Sequence, residues 1–343
     1  MRVRKLSHPP KFVSWAAVGG YEESRGPLGE KLDFVDTTDT FGQKTWELSE
    51  GEMGRCAINI ALTKAGLSHD KLELLVAGDL QNQCVASALG AGSFGTPFLG
   101  VYGACSTCTE SLLILSVMLS EGCVTLGAAA TTSHNSAAER QFRTPVEYGA
   151  QRTPSAQWTA TAGGAFILSS ETGDPSGAGS VEITEVAVGK IVDGATADGS
   201  NMGGAMAFAA ADTILTYFEE TGNDPAAFDH IVTGDLGRVG SDILRHILGE
   251  KLPKAVSRHT DCGLLLYDES KQDVHSGASG CGTSASVLAS HFLPLLASGE
   301  LSDILFLSTG ALMSPTSVLQ GKNISAVAPL IRLTHKKGET KNA

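Results

Sequence analysis

Short apolar runs alternate with longer segments of helical spacing along this chain of 343 residues. The runs at 74–80 and 230–236, LLVAGDL and HIVTGDL, each predict a buried strand that ends in Gly-Asp. Each run follows a segment predicted as helix, 54–66 in the first case and 202–222 in the second, and glycine closes both helices. Strands that alternate with helices in this way indicate α/β layers with a largely buried sheet.

A second pair of similar segments follows later along the chain. The segment at 103–109, GACSTCT, is similar to SGCGTSA at 279–285, and an apolar helix is predicted after both. Apolar strands are then predicted at 124–130 and 304–310. Because the order of the motifs repeats, we predict an internal duplication with two α/β halves, residues 1–180 and 181–343. Two α/β halves that share short motifs by chance are the alternative.

Cys105 lies between a predicted strand and a predicted helix, in the run VYGACST at 101–107. Free N–H groups at a helix start stabilise a thiolate, and small neighbours allow a ligand to approach closely. The position therefore predicts a nucleophile, or a place where a nucleophile has been lost. Cys105 and Cys108 also form a C-x-x-C pair, but neither a second such pair nor a histidine pair at ligand spacing occurs, which disfavours a metal or redox site.

Composition narrows the classes of function. A net charge of −12 argues against a broad nucleic-acid surface, and 42% hydrophobic residues are enough for a large core. The seven cysteines are an odd number in a chain without a recognisable secretion signal, which favours reduced thiols. The apolar run at 12–20 is too short to span a bilayer. We therefore expect a protein on the cytoplasmic side whose membrane contact, if any, is peripheral.

The Cys105 motif and the duplication resemble the thiolase superfamily, whose two α/β halves form five αβαβα layers. Longer runs resemble one branch of it, the stage V sporulation protein AD family of spore-forming bacteria: GPLG at 26–29, AGDLQNQ at 77–83, SHNSAAERQFR at 133–143, NMGGAMA at 201–207 and GALMSPT at 310–316. This resemblance implies a homodimer and a role in loading dipicolinic acid, with calcium, into the developing spore. It also implies integral membrane proteins of the same uptake system as partners, and a peripheral location at the spore inner membrane.

The second half lacks the residues that would make Cys105 react. Condensing enzymes of the superfamily supply two histidines, or a histidine and an asparagine, from that half. The corresponding segments here are IVTGD at 231–235 and GCGTS at 280–284, with neither residue type. A carboxylate beside a thiol raises the thiol pKa and disfavours the thiolate. We therefore predict a non-catalytic binding protein; the alternatives are a divergent acyl-transferring or condensing enzyme that uses Cys105, and a scaffold with a vestigial cleft.

Dipicolinate is a flat ring with two carboxylates, for which arginine forks, backbone N–H groups at helix starts and aromatic rings are suitable partners. The segment 133–158 is rich in such groups, although its arginines are equally suited to surface ion pairs or a dimer interface. Asp79 and Asp235 are the candidate oxygen donors for calcium that arrives with the ligand. No resident cofactor or metal and no nucleic-acid partner is predicted. The predicted ligand-binding residues are Cys105, His134, Asn135, Arg143, Arg152, Trp158, Asp235, Arg238, Gly280 and Cys281.

Overall fold

The computed structural model describes residues 2–142, 152–171 and 180–336. Within these ranges the strands are β1 Val3–Lys5, β2 Lys11–Gly19, β3 Phe34–Val35, β4 Leu74–Gly78, β5 Phe98–Gly100, β6 Leu126–Ser133, β7 Trp158–Thr159, β8 Ala162–Ser169, β9 Ser180–Ala187, β10 Val192–Asp193, β11 His230–Thr233, β12 His259–Asp261, β13 Ala278–Ser279, β14 Asp303–Leu307, β15 Gly310–Leu312, β16 Ser325–Val327 and β17 Leu330–Lys336. The α-helices are α1 Tyr21–Ser24, α2 Trp46–Ala65, α3 Val85–Ala91, α4 Thr107–Ser120, α5 Asn135–Phe142, α6 Met202–Thr221, α7 Gly237–Lys251, α8 Pro253–Val256, α9 Cys262–Leu265, α10 Cys281–Val287, α11 Leu293–Ser298 and α12 Pro315–Leu319.

The main sheet repeats one strand order about its centre. Its strands run β12-β11-β14-β17-β9-β2-β8-β6-β4-β5, with β1 added on β9 and β3 on β2. Outward from the centre, the order is β2, β8, β6, β4 and β5 on one side and β9, β17, β14, β11 and β12 on the other. When the five strands of each side are numbered along the chain, both orders are first, fifth, fourth, second and third. The second strand is parallel to the third and fourth in both halves, and the fifth is antiparallel to its neighbours. Two copies of one topology therefore lie side by side.

Helices lie on both outer faces of this sheet and also between its two halves. Helix α2 packs on the outer face of β2, β8 and β6, and its core side chains form one apolar cluster with them. Helices α6 and α7 belong to a second cluster with β11, β14 and β17. Helices α4 and α10 lie between the halves and share a third cluster with strands of both. The layers are thus helix, sheet, helix, sheet, helix, and the predicted thiolase-like αβαβα class is confirmed.

Several predicted elements coincide with observed ones. Helix α2 ends at Ala65 and helix α6 at Thr221, and each is followed by a glycine in the left-handed conformation, Gly66 and Gly222. Strand β4 ends at Gly78, the glycine of its Gly-Asp pair, and β11 ends at Thr233, directly before Gly234. The division of the chain at residue 180, where β9 begins, stays a prediction. Among the described helices, none has the length and apolar character needed to cross a membrane.

The central helix α10 approaches strand β8 more closely than side chains would permit. A Cβ added to Gly282 would lie 2.1 Å from the carbonyl oxygen of Ala162. A Cβ on Gly164 would lie 2.6 Å from the carbonyl oxygen of Ala285. Only hydrogen fits at both positions, so glycine here allows the central layer to pack directly on the backbone of the sheet.

Candidate functional site

A cavity of about 560 Å³, counted with its open mouth, lies over Cys105. Residues from both halves enclose it, because the loop before α4, helix α5 and strand β7 face the start of α6, strand β13 and the segment at β15. Its described lining consists of Leu80, Tyr102, Ala104, Cys105, Ala138, Glu139, Phe142, Thr159, Gly199, Met202, Ser279, Ala311 and Met313. This lining includes no lysine, arginine or histidine.

Cys105 is presented by a tight turn just before α4. Ala104 has φ +51°, a left-handed conformation that costs a non-glycine residue free energy. The Thr107 hydroxyl holds the turn, because its Oγ1 donates to Ala104 O at 2.6 Å and accepts from Gly103 N at 3.0 Å. The strained turn directs the Cys105 side chain to the base of the cavity, where it is 5% exposed.

Asp235, which follows β11, is a buried residue that accepts hydrogen bonds from three groups near Cys105. Its Oδ2 accepts from Gly280 N at 2.9 Å and from Ser279 Oγ at 3.3 Å, and its Oδ1 accepts from Thr309 Oγ1 at 3.0 Å. Ser279 Oγ also lies 3.9 Å from Cys105 Sγ. The two Gly-rich turns of the repeated halves therefore meet at this carboxylate.

Burial and the charge of Asp235 decide the protonation of the thiol. Burial, followed by the Asp235 carboxylate, raises the pKa of Cys105 well above its usual value. Burial likewise raises the pKa of Asp235 to about 7, against hydrogen bonds that lower it. Cys105 is therefore a neutral thiol near neutral pH, and Asp235 is close to its own titration point.

Gly280 and Cys281 contact the residues around Cys105: Gly280 N donates to Asp235, and Cys281 packs with Cys105. Gly280 has φ +101°, and a Cβ there would lie 2.7 Å from Ser133 Oγ. The thiol of Cys281 donates to Thr132 O at 3.0 Å, and burial raises its pKa well above the usual range. Cys281 packs with Cys105 in a small apolar cluster, but neither Gly280 nor Cys281 lines the cavity.

The polar part of the lining is a strip formed by Glu139, Thr159 and Ser279. Thr159 and Ser279 are neighbours because β7 and β13 pair in parallel at this register. Thr159 Oγ1 donates to Glu139 Oε1 at 3.0 Å, and Ser279 Oγ donates to Asp235. Both hydroxyl protons are thus directed to carboxylates. The two hydroxyl groups of the polar strip therefore present oxygen lone pairs to the cavity.

His134 and Asn135, predicted as ligand-binding residues, have structural partners. His134 is fully buried, with Nε2 2.7 Å from Asp39 O and its ring 5.3 Å from that of Trp46. Burial lowers the pKa of His134. Asn135 Nδ2 donates to Thr159 O at 2.9 Å and fixes the start of α5. Neither residue lines the cavity.

The predicted cationic residues lie elsewhere. The Arg152 guanidinium stacks 4.9 Å from the Trp158 ring and pairs with Asp273 at 3.0 Å. Arg238 Nε donates to Glu269 at 3.0 Å. Arg152, Trp158 and Arg238 are absent from the described cavity lining. Arg143 lies outside the described residues.

Asp79 is not part of the described cavity lining either. Its carboxylate accepts from Gln81 N at 2.8 Å and from Ser87 N at 2.7 Å, so it closes the turn after β4. Across the described part of the chain, no three His, Cys, Asp or Glu side chains are grouped to hold a metal ion.

Sequence reasoning missed most of the lining. Ser279 belongs to the second repeated motif and Tyr102 directly precedes the first, so the position of each motif relative to Cys105 was the signal that could have identified them. Thr159 and Glu139 come close to them only through the β7–β13 pairing and the docking of α5. The remaining lining residues that were not predicted are Leu80, Ala104, Ala138, Phe142, Gly199, Met202, Ala311 and Met313.

A sequence model described as Stage V sporulation protein AD (SpoVAD) matches residues 1–334. This match covers nearly the whole chain. The chain belongs to the stage V sporulation protein AD family. The family member from Bacillus subtilis (strain 168) is 41% identical over 323 residues, which are 94% of this chain and 94% of that protein. The resemblance found in the sequence motifs is confirmed.

Solved structures of condensing enzymes share the fold. AbyA1, a tetronic acid condensing enzyme, aligns with a TM-score of 0.61 at 16% identity, over 94% of this chain and 99% of its own. A single-site variant of Xanthomonas campestris OleA gives 0.60 at 14% identity, over 96% and 100%. The 3-oxoacyl-[acyl-carrier-protein] synthase III of Aquifex aeolicus gives 0.57 at 13%, over 95% and 99%. At these identities the likeness establishes the fold and leaves the activity open.

Proposed function

We propose that this sporulation protein is a non-catalytic member of the thiolase-like fold that binds dipicolinic acid, with calcium, for uptake into the developing spore. The observation that carries the proposal is the environment of Cys105. A buried carboxylate, Asp235, lies behind the thiol, and no imidazole is present in the described cavity lining.

This environment opposes acyl transfer. A thiol nucleophile needs a base or a lowered pKa, and the acyl oxygen needs hydrogen-bond donors. At this site, burial and Asp235 raise the pKa of Cys105, and the side chains of the polar strip direct acceptors into the cavity. The arrangement is suited to holding a molecule and poorly suited to activating the thiol.

The side chains that line the cavity have a suitable character for a small ring compound. Tyr102, Phe142, Met202 and Met313 supply aromatic and thioether surface, which packs well on flat rings.

Calorimetric titration with equimolar calcium and dipicolinate tests the proposal. Gly199 is half-buried at the cavity, and a Cβ there would meet only the flexible end of Met313, at 3.0 Å. We expect Gly199→Trp to fill the cavity and to weaken binding by about tenfold or more. Gly249→Trp is the matched control, because a Cβ at this exposed position on α7 meets nothing within 4 Å.

Two outcomes would overturn the proposed site. Absence of binding to the wild-type protein would remove dipicolinate as the ligand. If the two tryptophan variants weakened binding equally, or not at all, the ligand would bind at another part of the molecule.

The second candidate is a divergent acyl-transferring or condensing enzyme. It is favoured by the position of Cys105, which still lies at a strained turn at the base of a cavity. Incubation with acyl-CoA separates the two candidates. Release of CoA together with a mass increase on the Cys105 peptide would establish the enzyme and exclude the non-catalytic protein.

Partners and location are proposed from the family. We propose a homodimer that is peripheral at the spore inner membrane and held there by integral membrane proteins of the same uptake system. Sedimentation of the purified protein tests the dimer. Fractionation of sporulating cells, with and without those membrane proteins, tests the attachment: release into the soluble fraction in their absence is expected, and unchanged membrane recovery would contradict it.

A further inference from the structure

The side chains that line the Cys105 cavity offer few free hydrogen-bond donors. The hydroxyls of Thr159 and Ser279 each donate to a carboxylate. The described lining contains no lysine, arginine or histidine, and no asparagine, glutamine or tryptophan. The one further hydroxyl of this described lining is that of Tyr102. The remaining side-chain donor is the thiol of Cys105, which donates only weakly.

The Tyr102 hydroxyl has no hydrogen-bond partner among the described residues. The fully enclosed tyrosines of the described chain are different, because Tyr217 donates to Glu185 and Tyr267 donates to Glu23. A tyrosine hydroxyl that protein encloses usually has a partner, since leaving it without one costs free energy. At Tyr102 the place of that partner is open to a molecule in the cavity.

The hydroxyl lies at the enclosed end of the Tyr102 side chain. The residue as a whole is 41% exposed, although it lines the cavity. Burial nevertheless raises the pKa of the hydroxyl, followed by the neighbouring thiols of Cys105 and Cys281. These causes indicate that the hydroxyl lies toward the base of the cavity and that the exposed part of the residue faces solvent. The raised pKa also keeps the proton on oxygen, so Tyr102 is a donor near neutral pH and does not act as a base toward Cys105.

A carboxylate oxygen is a suitable partner for such a donor. Hydrogen bonds to ionised acceptors are shorter and stronger than those between neutral groups. A carboxylate has two oxygens with about four acceptor positions, so an oxygen that binds calcium can still accept a hydrogen bond. Phe142, Met202 and Met313 supply apolar surface for the rest of a flat ring. The cavity therefore combines one directional donor with apolar contacts.

We propose that Tyr102 is a specificity-determining residue of this cavity, whose hydroxyl donates a hydrogen bond to a carboxylate oxygen of the ligand. The cavity then accepts flat rings that carry an acceptor group on the edge facing Tyr102. The inference rests on the proposed function, since it requires dipicolinate in this cavity.

Calorimetric titration of the full chain with equimolar calcium and dipicolinate tests the inference in Tyr102→Phe. This variant keeps the ring and removes a single oxygen, so we expect the affinity to fall about tenfold through loss of a hydrogen bond to an ionised group. Tyr21→Phe is the matched control, because Tyr21 is 45% exposed and its ring stacks on Arg25 away from the cavity lining. Its affinity should equal that of the wild type.

A carbon-13 label at Cζ of the five tyrosines reports the same hydrogen bond in the wild-type protein. We expect one signal to shift when the ligand is added, and Tyr102→Phe identifies that signal because it lacks it. An unchanged affinity in Tyr102→Phe, an equal loss in both phenylalanine variants, or a Tyr102 signal that does not shift when the ligand binds would overturn the inference and leave the proposed function standing. Absence of binding to the wild-type protein would refute the proposed function itself.

Discussion

Cys105 combines a position suited to a nucleophile with surroundings that favour the neutral thiol. The turn before α4 presents the thiol to a cavity, with Ala104 in a strained conformation. Nearly complete burial, followed by the Asp235 carboxylate, raises the pKa of the thiol. Reactivity at this site is therefore a property of the neighbours of the thiol.

The rate at which iodoacetamide alkylates Cys105 at pH 7.5 measures how readily the thiol loses its proton. Cys123 is exposed and serves as an internal reference in the same molecule. We expect Cys105 to react at least about tenfold more slowly, since each unit of raised pKa lowers the thiolate fraction about tenfold. Peptide mass spectrometry gives both rates, and equal rates would contradict the raised pKa.

The variant Asp235→Asn separates the charge of the carboxylate from burial. Above pH 7 we expect it to speed Cys105 alkylation by about threefold to tenfold, because a negative neighbour has been removed. Below pH 6 the rates of wild-type and variant protein should converge, since Asp235, with a pKa of about 7, is then protonated in the wild type. The matched control is Asp70→Asn at the surface. A rate increase that persists undiminished at pH 5.5 would indicate loosened packing instead.

Residue roles were predictable where a motif repeated and unpredictable where partners are distant in sequence. The relation between the Cys105 turn and the segment 279–285 followed from the duplication, and Ser279 of that segment lies 3.9 Å from the Cys105 sulfur. His134 and Arg152 were chosen by type, and their contacts to Asp39 and Asp273 come from loops 95 and 121 residues away. Such contacts depend on tertiary packing, which no local pattern encodes.

At the scale of elements, close packing at glycine fixes α10 against β8. Gly282→Ala places a methyl group 2.1 Å from Ala162 O, so we expect it to lower the free energy of unfolding by about 1–3 kcal/mol through overpacking. Gly249→Ala, on an exposed turn of α7 with open space around it, should raise that free energy by up to about 1 kcal/mol. Urea denaturation measures both, and equal effects in the two variants would contradict the packing argument.

The ends of the helices were predicted better than their starts, because α2 already begins at Trp46 although the sequence pattern predicted a helix only from residue 54. Strand ends at Gly78 and helix ends at Ala65 and Thr221 follow from apolar runs closed by glycine, a local signal. The short pair β7 and β13 was not predicted, because two-residue strands carry no periodicity. This pair aligns Thr159 with Ser279, so the element that sequence reasoning missed is the one that forms the polar strip.

For the whole molecule, buried carboxyl groups couple stability to pH. Burial raises the pKa of Glu23 to about 7, of Asp235 to about 7 and of Asp261 to about 6. Between pH 5 and pH 7 the native state therefore retains protons that the unfolded chain has released. The stabilisation is complete below the unfolded pKa values and is lost as pH rises through the folded ones.

We therefore expect the part of the unfolding free energy due to these groups to decrease from pH 5 to pH 8. Glu23→Gln should flatten this profile by up to about 3 kcal/mol, the value of a shift from 4.5 to about 7 at 1.36 kcal/mol per unit. Chemical denaturation at several pH values measures the slope, with the exposed Glu250→Gln as control. If the slope in Glu23→Gln were identical to that of the wild type, Glu23 would not contribute to the pH dependence of the unfolding free energy.

The buried position of α10 has a consequence for motion. All its residues from Cys281 to Val287 are buried, and it lies between the two halves of the sheet. Its amide hydrogens should exchange with deuterated solvent only when the entire chain opens, whereas α5 at the rim should exchange through local fluctuations. We therefore expect a molecule that occupies the cavity to slow amide exchange in α5 and to leave the exchange of α10 unchanged.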